Sequence, residues 1–64
     1  MTYHLESWEQ RKRAALQILA NDHRLTRKSG SFLGQCVADP TPLSDKQIDW
    51  FLTLAERSGV AVEA

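Results

Sequence analysis

The chain has 64 residues, of which 42% are hydrophobic and 25% charged, and its formal net charge is zero. A chain of this length forms one small core and buries only about 60% of the surface that its unfolded form exposes, so its stability margin is small. The composition excludes a disordered chain, and the longest stretch without a charge, residues 29–38, is shorter than the ~20 apolar residues of a membrane span. We therefore expect one soluble domain, residues 1–64, without a membrane partner.

The first predicted helix covers residues 5–20. Ser7 and Gln10 have the spacing of a capping box near its start, although Thr2 could begin the helix one turn earlier and bring in Leu5. Lys12 lies on the apolar side of this helix. We expect its aliphatic part to pack along the core while its ammonium group reaches water, and we favour this over a buried functional charge. The other members of that stripe are Trp8, Ala15, Leu16 and Leu19.

The second predicted helix covers residues 24–38, with Asp22 or Thr26 as its cap and a proline-containing connector after it. Gly30 and Gly34 lack side chains, so a neighbouring helix could approach this part of the helix surface closely. We expect such close packing to occur within the domain. Its apolar face is formed by Leu25, Ser29, Phe32, Leu33, Cys36 and Val37.

The third predicted helix, residues 45–58, has the clearest ends. Ser44 and Gln47 form a capping box, Gly59 suits a left-handed residue after the last turn, and Val60 can fold back on the helix. No segment alternates with a period of two, so no strand is expected. The predicted fold is an all-α three-helix bundle.

The sequence offers little for catalysis or metal binding. Residues 30–34 have the glycines of a nucleophile elbow but place Phe32 where the serine is needed. Cys36 could pair only with His4 or His23, which are far apart in the chain and lack a clear third partner. We expect Cys36 to be a small buried hydrophobe, His23 a polar residue near a helix boundary, and the protein to be a non-enzyme without a metal or cofactor.

The third helix has apolar residues over roughly 200° of its circumference, more than one neighbour requires. One explanation is that it is central and contacts both other helices. The other is that Trp50, Leu54 and Arg57 bind a larger protein or a second copy of the chain, because tryptophan is frequent in interface hot spots.

Positive charge is concentrated in the first half of the chain, where residues 1–32 contain six Lys or Arg and three Asp or Glu. Arg11, Arg13, Arg24, Arg27 and Lys28 are therefore candidate phosphate contacts. If helices one and two are antiparallel, the two clusters lie at opposite ends, whereas a bend near residue 21 brings them together. A helix-turn-helix with helix three in the major groove is disfavoured by its acidic residues.

Phe32-Leu33, followed by Leu43-Ser44-x-Lys46-Gln47-x-x-Trp50-x-x-Leu54, resembles a helical segment of small uncharacterised proteins of phages and mobile elements. The resemblance covers about half of the chain, contains no catalytic residue and implies a phage-type accessory protein. We rank a protein-interaction module first and a nucleic-acid-binding domain second. A cytoplasmic location is expected, because the N-terminal region lacks the order of a secretory signal.

Overall fold

The computed structural model describes residues 2–22 and 24–64 and confirms the all-α three-helix bundle. The helices are α1 (Trp8–Asn21), α2 (Arg27–Ala38) and α3 (Asp45–Ser58). Two short strands, β1 (Tyr3–His4) and β2 (Val62–Glu63), lie at the two ends of the chain. None of the described helices combines the length and the apolar character that a membrane crossing needs. His23, for which a polar position near a helix boundary was predicted, lies outside the described residues.

The ends of α3 are as predicted. The Ser44 hydroxyl accepts from the Gln47 amide at 3.3 Å, and the Gln47 side chain accepts from the Ser44 amide at 2.9 Å, which completes the capping box. After the last turn Gly59 has φ 75° and ψ 21°, a left-handed conformation that glycine adopts without a steric penalty. The Val60 amide then donates to the carbonyl oxygen of Ala55 at 2.9 Å.

The helices α1 and α2 each begin three residues later than predicted. The Ser7 hydroxyl accepts from the Gln10 amide at 3.4 Å, so Ser7 is the N-cap of α1. The predicted capping box is incomplete, because the Gln10 side chain accepts from the amide of His4 instead. Of the two candidate caps of α2, Thr26 is the one used, since its hydroxyl accepts from the Ser29 amide at 3.1 Å.

The two strands form a parallel pair that the sequence did not predict. Tyr3 is aligned with Val62 and His4 with Glu63. The Tyr3 amide donates to the carbonyl oxygen of Ala61 and the Leu5 amide to that of Glu63, both at 2.9 Å. A strand of two residues is too short to show an alternating pattern, which explains why no strand was expected.

The core lies where the three helices meet and is closed by the segments next to the strands. Phe51, Ile18, Leu33 and Leu54 are its largest fully buried side chains. On α1, however, the buried residues are Arg11, Ala14, Ala15 and Ile18. Of the residues predicted for the apolar face of α1, Ala15 is buried, but Leu16 is 49% and Leu19 36% exposed, so the prediction was wrong for these two leucines.

The glycines of α2 do not serve close packing. A methyl group at Gly30 or Gly34 would meet no heavy atom of the described residues within 4 Å beyond the local helix backbone. The predicted tight contact along this strip was therefore wrong, and the two positions lie beside open space.

Candidate functional site

The broad apolar face of α3 is largely covered within the domain. The ring of Trp50 stacks on Phe32 of α2, with 4.3 Å between ring centroids and 6° between planes, and Phe32 meets Phe51 edge-on. Leu54 is 1% exposed and belongs to the core. The prediction that Leu54 binds a partner was therefore wrong, because its side chain is not accessible at the protein surface.

Arg57, the third residue of the predicted protein-binding set, lies at the surface. Its side chain is 46% exposed, and its guanidinium lies 3.8 Å from a carboxylate oxygen of Asp22, which ties α3 to the end of α1. The predicted α3 site is thus reduced to half-buried Trp50 and exposed Arg57, and both already have neighbours within the domain.

A different apolar surface lies on α1. Leu16 and Leu19 are the large hydrophobic side chains that the described part of the chain leaves exposed. One turn before Leu16, the Lys12 ammonium lies 4.8 Å from the ring centroid of Trp8, a cation–π contact that holds the charge beside the apolar surface. Lys12, Leu16 and Leu19 follow one another at helical spacing, and we call them the α1 stripe.

The predicted basic set does not stay together. Arg11 is 4% exposed, so it cannot contact a phosphate backbone, and its predicted role there is corrected. Arg13 is exposed on α1, and it lies about 12 Å along the helix axis from the last residue of α1. The others are exposed near the start of α2: Arg24, Arg27 and Lys28.

Arg11 instead holds the connector between α2 and α3. One terminal nitrogen of its guanidinium donates to the carbonyl oxygens of Asp39 at 3.4 Å and Thr41 at 3.0 Å. Its Nε is buried and has no acceptor among the described residues. The sequence did contain a signal for this position, because Arg11 precedes Ala14, Ala15 and Ile18 at three-, four- and seven-residue steps on the buried face.

The connector is also held by a local turn. The Asp39 carboxylate accepts from the Thr41 amide at 2.9 Å and from the Thr41 hydroxyl at 2.7 Å. These two bonds, the hydroxyl one first, hold the pKa of the Asp39 carboxyl below its usual value, and the nearby Arg11 charge acts in the same direction.

A pocket of about 190 Å³ lies between the start of α1, this connector and the start of α3. Arg11 and Trp8 form part of its wall, and we call it the Arg11 pocket. The indole Nε1 of Trp8 is, like the Nε of Arg11, buried without an acceptor among the described residues. The wall is otherwise mainly apolar and includes Leu5, Leu43 and Ile48, with exposed Glu6 also at the pocket.

Cys36 lines a second pocket of about 220 Å³ but is itself only 3% exposed, as expected of a buried hydrophobe. Burial raises the pKa of its thiol, and the Arg11 charge offsets part of this effect. His4 is exposed and lies 3.4 Å from a carboxylate oxygen of Glu63. Within residues 2–22 and 24–64, no group of three or more His, Cys, Asp or Glu is arranged to hold a metal ion.

Comparisons with protein-family models, curated proteins and solved structures find no match to this chain. The resemblance to a segment of phage proteins therefore stays a prediction, and the function has to be argued from the surface of the molecule.

Proposed function

We propose that this chain is a small protein-interaction module that binds an amphipathic segment of a larger protein through the α1 stripe. The observation that carries the proposal is the exposure of Leu16 and Leu19, which lie three residues apart on one face of a regular helix. A single exposed leucine is ordinary on a soluble protein, whereas two exposed leucines on one helix face form a continuous apolar surface that a partner can cover.

The charge beside the leucines indicates the chemistry of the partner. The acid–base contacts formed by the described residues join His4 to Glu63 and Arg57 to Asp22, so the Lys12 ammonium meets an aromatic ring but no carboxylate. A partner helix with an apolar stripe and an acidic residue beside it would complement both features.

Each exposed leucine should contribute modestly to the binding free energy of the partner. Covering the exposed part of each leucine is worth about 1 kcal/mol, because full burial of a leucine is worth about 1.5–3 kcal/mol and a large fraction of each is already covered. Truncation of either leucine to alanine should therefore weaken binding about fivefold. The protein's own stability should change by no more than about 0.5 kcal/mol, since the side chains contribute little to the core.

A capture experiment with matched variants tests the proposal. The wild type, the double variant Leu16→Asp/Leu19→Asp and the control Gln17→Asp are immobilised and exposed to host extract. Gln17 is exposed on the same helix and lies outside the α1 stripe. The proposal requires a protein that the wild type and Gln17→Asp retain and the double variant loses, and whose purified form titrates with the same ranking. Equal capture by all three variants refutes it.

Sedimentation of the same variants separates a foreign partner from self-association. We expect the wild type to be monomeric at micromolar concentration, because a second copy would present Lys12 with another Lys12 and not with the acidic residue that complements it. A wild-type dimer that the double variant converts to monomer would show that the α1 stripe binds a second copy of the chain instead.

Nucleic-acid binding is the second candidate. It is favoured by the exposed cations Arg24, Arg27 and Lys28, which lie around the start of α2. The helix dipole disfavours positive charge there, and the first turn of α2 contains no acidic residue. With Arg13, four cations can reach phosphates, so the logarithm of the binding constant should fall with the logarithm of salt with a slope no steeper than about −3.6. A mobility-shift titration at low salt that shows no complex excludes this candidate.

A further inference from the structure

We propose that the partner segment is an α-helix that lies along the surface between α1 and α2 and carries an acidic residue near each of its ends. The inference rests on the proposed function, because one side of this surface is the α1 stripe. The other side is formed by Arg27, Gly30 and Gly34, which follow one another on α2 at helical spacing. We call the two sets of residues together the α1–α2 groove.

The helices α1 and α2 are antiparallel neighbours. The guanidinium of Arg11, near the start of α1, donates to the carbonyl oxygens of Asp39 and Thr41, just after the end of α2. At the other end of the pair, only residues 22–26 separate the last residue of α1 from the first residue of α2. The start of one helix therefore lies beside the end of the other.

The contacts of α2 with α3 show which side of α2 is turned toward α1. Phe32 stacks on Trp50 of α3 and so marks the side of α2 that faces α3. Each residue turns a helix by ~100°, which puts Gly30 and Gly34 on the opposite side of the buried Leu33 from Phe32. The two glycines therefore lie on the side toward α1.

The same argument places the leucines of α1 on the side toward α2. Gln17 and Asn21 line a pocket with the segments that carry the two strands, and so they mark the opposite side of α1. Leu16 and Leu19 lie across the buried face from them, by the same ~100° turn per residue. The α1 stripe and the glycines of α2 are thus the two sides of one surface.

The shape of the α1–α2 groove suits a helix. A methyl group at Gly30 or Gly34 would meet no heavy atom of the described residues within 4 Å beyond the local helix backbone. The two glycines are one turn apart, so the backbone of α2 is accessible over that turn. A partner helix can approach α2 closely there while its apolar side chains cover Leu16 and Leu19.

The charges of the α1–α2 groove lie at its two ends. Lys12 is near the start of α1 and Arg27 is the first residue of α2, so the antiparallel arrangement puts them at opposite ends. Neither of the acid–base contacts that the described residues form includes Lys12 or Arg27. Lys12 precedes the end of α1 by nine residues, or roughly 14 Å along the helix axis. Acidic residues eleven apart, about 16 Å along one face of a helix, can reach both flexible cations.

Glu9 opposes an acidic partner at the Lys12 end of the groove. It is exposed one turn before Lys12, on the same side of α1. Its carboxylate repels an acidic residue placed beside Lys12. The variant Glu9→Gln should therefore bind an acidic helix more tightly, by about twofold at low salt.

A pair of synthetic helices tests the proposal. The first has about sixteen residues, a stripe of leucines and two glutamates about eleven residues apart on the same face, and the second has lysines in place of the glutamates. Each is titrated into ¹⁵N-labelled protein and followed by NMR. The chain has three glycines, of which Gly30 and Gly34 report on the groove, and Gly59, after the end of α3, is the internal control.

We expect the glutamate helix to move the amide signals of Gly30 and Gly34 saturably and to leave that of Gly59 in place. The dissociation constant should be on the order of 0.1 mM, because two leucines and two exposed charges form a small interface. The lysine helix should bind at least about tenfold more weakly, since it presents like charges to Lys12 and Arg27.

Three variants complete the design. Arg27→Glu should weaken binding of the glutamate helix about fivefold at low salt. Its control is Lys28→Glu, which makes the same change of charge at an exposed position on the other side of α2 and should change the affinity by less than about twofold. Gly34→Gln fills the open space of the groove and should weaken binding at least about fivefold while the protein keeps its helical circular dichroism.

The results that would overturn this inference differ from those that would overturn the proposed function. Signal changes confined to α1, or unchanged affinity in both Gly34→Gln and Arg27→Glu, would show that a partner covers the α1 stripe alone and does not lie in the groove. Equal weakening by Arg27→Glu and Lys28→Glu would show general attraction to positive charge. If neither synthetic helix moves any signal, the groove is not a helix-binding surface, and the capture experiment with Leu16→Asp/Leu19→Asp still decides the α1 stripe.

Discussion

Replacing Ile18 or Leu16 by alanine tests how α1 is oriented in the bundle. Ile18 is completely buried and Leu16 is 49% exposed, although both lie in the middle of the same helix. Truncation of a buried isoleucine to alanine costs about 2–5 kcal/mol, through lost apolar burial and the cavity left behind. Truncation of an exposed leucine should cost no more than about 0.5 kcal/mol, because alanine is also a good helix former.

The consequences of the two substitutions should be easy to separate. A domain of this length has a free energy of unfolding of roughly 3–10 kcal/mol, so Ile18→Ala removes a large part of it. One kcal/mol shifts the Tm of such a small domain by about 4–8 °C, so Ile18→Ala should lower the Tm by at least about 8 °C. Urea and thermal denaturation followed by far-ultraviolet circular dichroism measure both quantities. A Leu16→Ala variant as destabilised as Ile18→Ala would refute the orientation of α1 and, with it, the α1 stripe.

Three further predictions follow from local features. Gly34→Ala should stabilise the protein by about 0.5–1 kcal/mol in urea denaturation, because the added methyl group meets open space, whereas Gly59→Ala should destabilise it by about 1 kcal/mol because of its positive φ. At neutral pH, Cys36 should react with a thiol-specific reagent only after the protein unfolds, since burial both shields the thiol and raises its pKa. In an NMR pH titration the pKa of the Asp39 carboxyl should lie below the usual value of an aspartate and rise toward that value in Thr41→Val. Because this pKa is lower in the folded state, the stabilisation from Asp39 is present above the unfolded pKa and is lost as the pH falls through the folded pKa, and an unchanged pKa in Thr41→Val would contradict the assignment.

Local signals made α3 predictable in detail. Its cap, its capping box and its terminal glycine are all specified within a few residues of the helix end, so Ser44, Gln47 and Gly59 could be assigned without knowing the rest of the fold. The bounds predicted for this helix, residues 45–58, are those of the structure for the same reason.

The orientation of α1 could not be derived in the same way. Its sequence has large apolar residues at Leu16 and Leu19 and small ones at Ala14 and Ala15, and hydrophobicity alone favours the leucines as the buried face. The helix instead buries the alanines together with Ile18. Such a choice depends on how closely the neighbouring helices approach, and side-chain volume across a tertiary contact is not visible in the periodicity of one helix.

The candidate surfaces followed from that same rotation of α1. Turning the alanines and Ile18 inward leaves Leu16 and Leu19 on the outside. It also carries Arg11 into the interior, where the carbonyl oxygens of Asp39 and Thr41 accept its hydrogen bonds and the Asp39 carboxylate lies near its charge. An interior arginine is stable only where its hydrogen bonds and nearby opposite charges compensate for its lost hydration. The exposed leucines and the buried cation are therefore two consequences of the same orientation of α1, which the periodicity of this helix alone does not reveal.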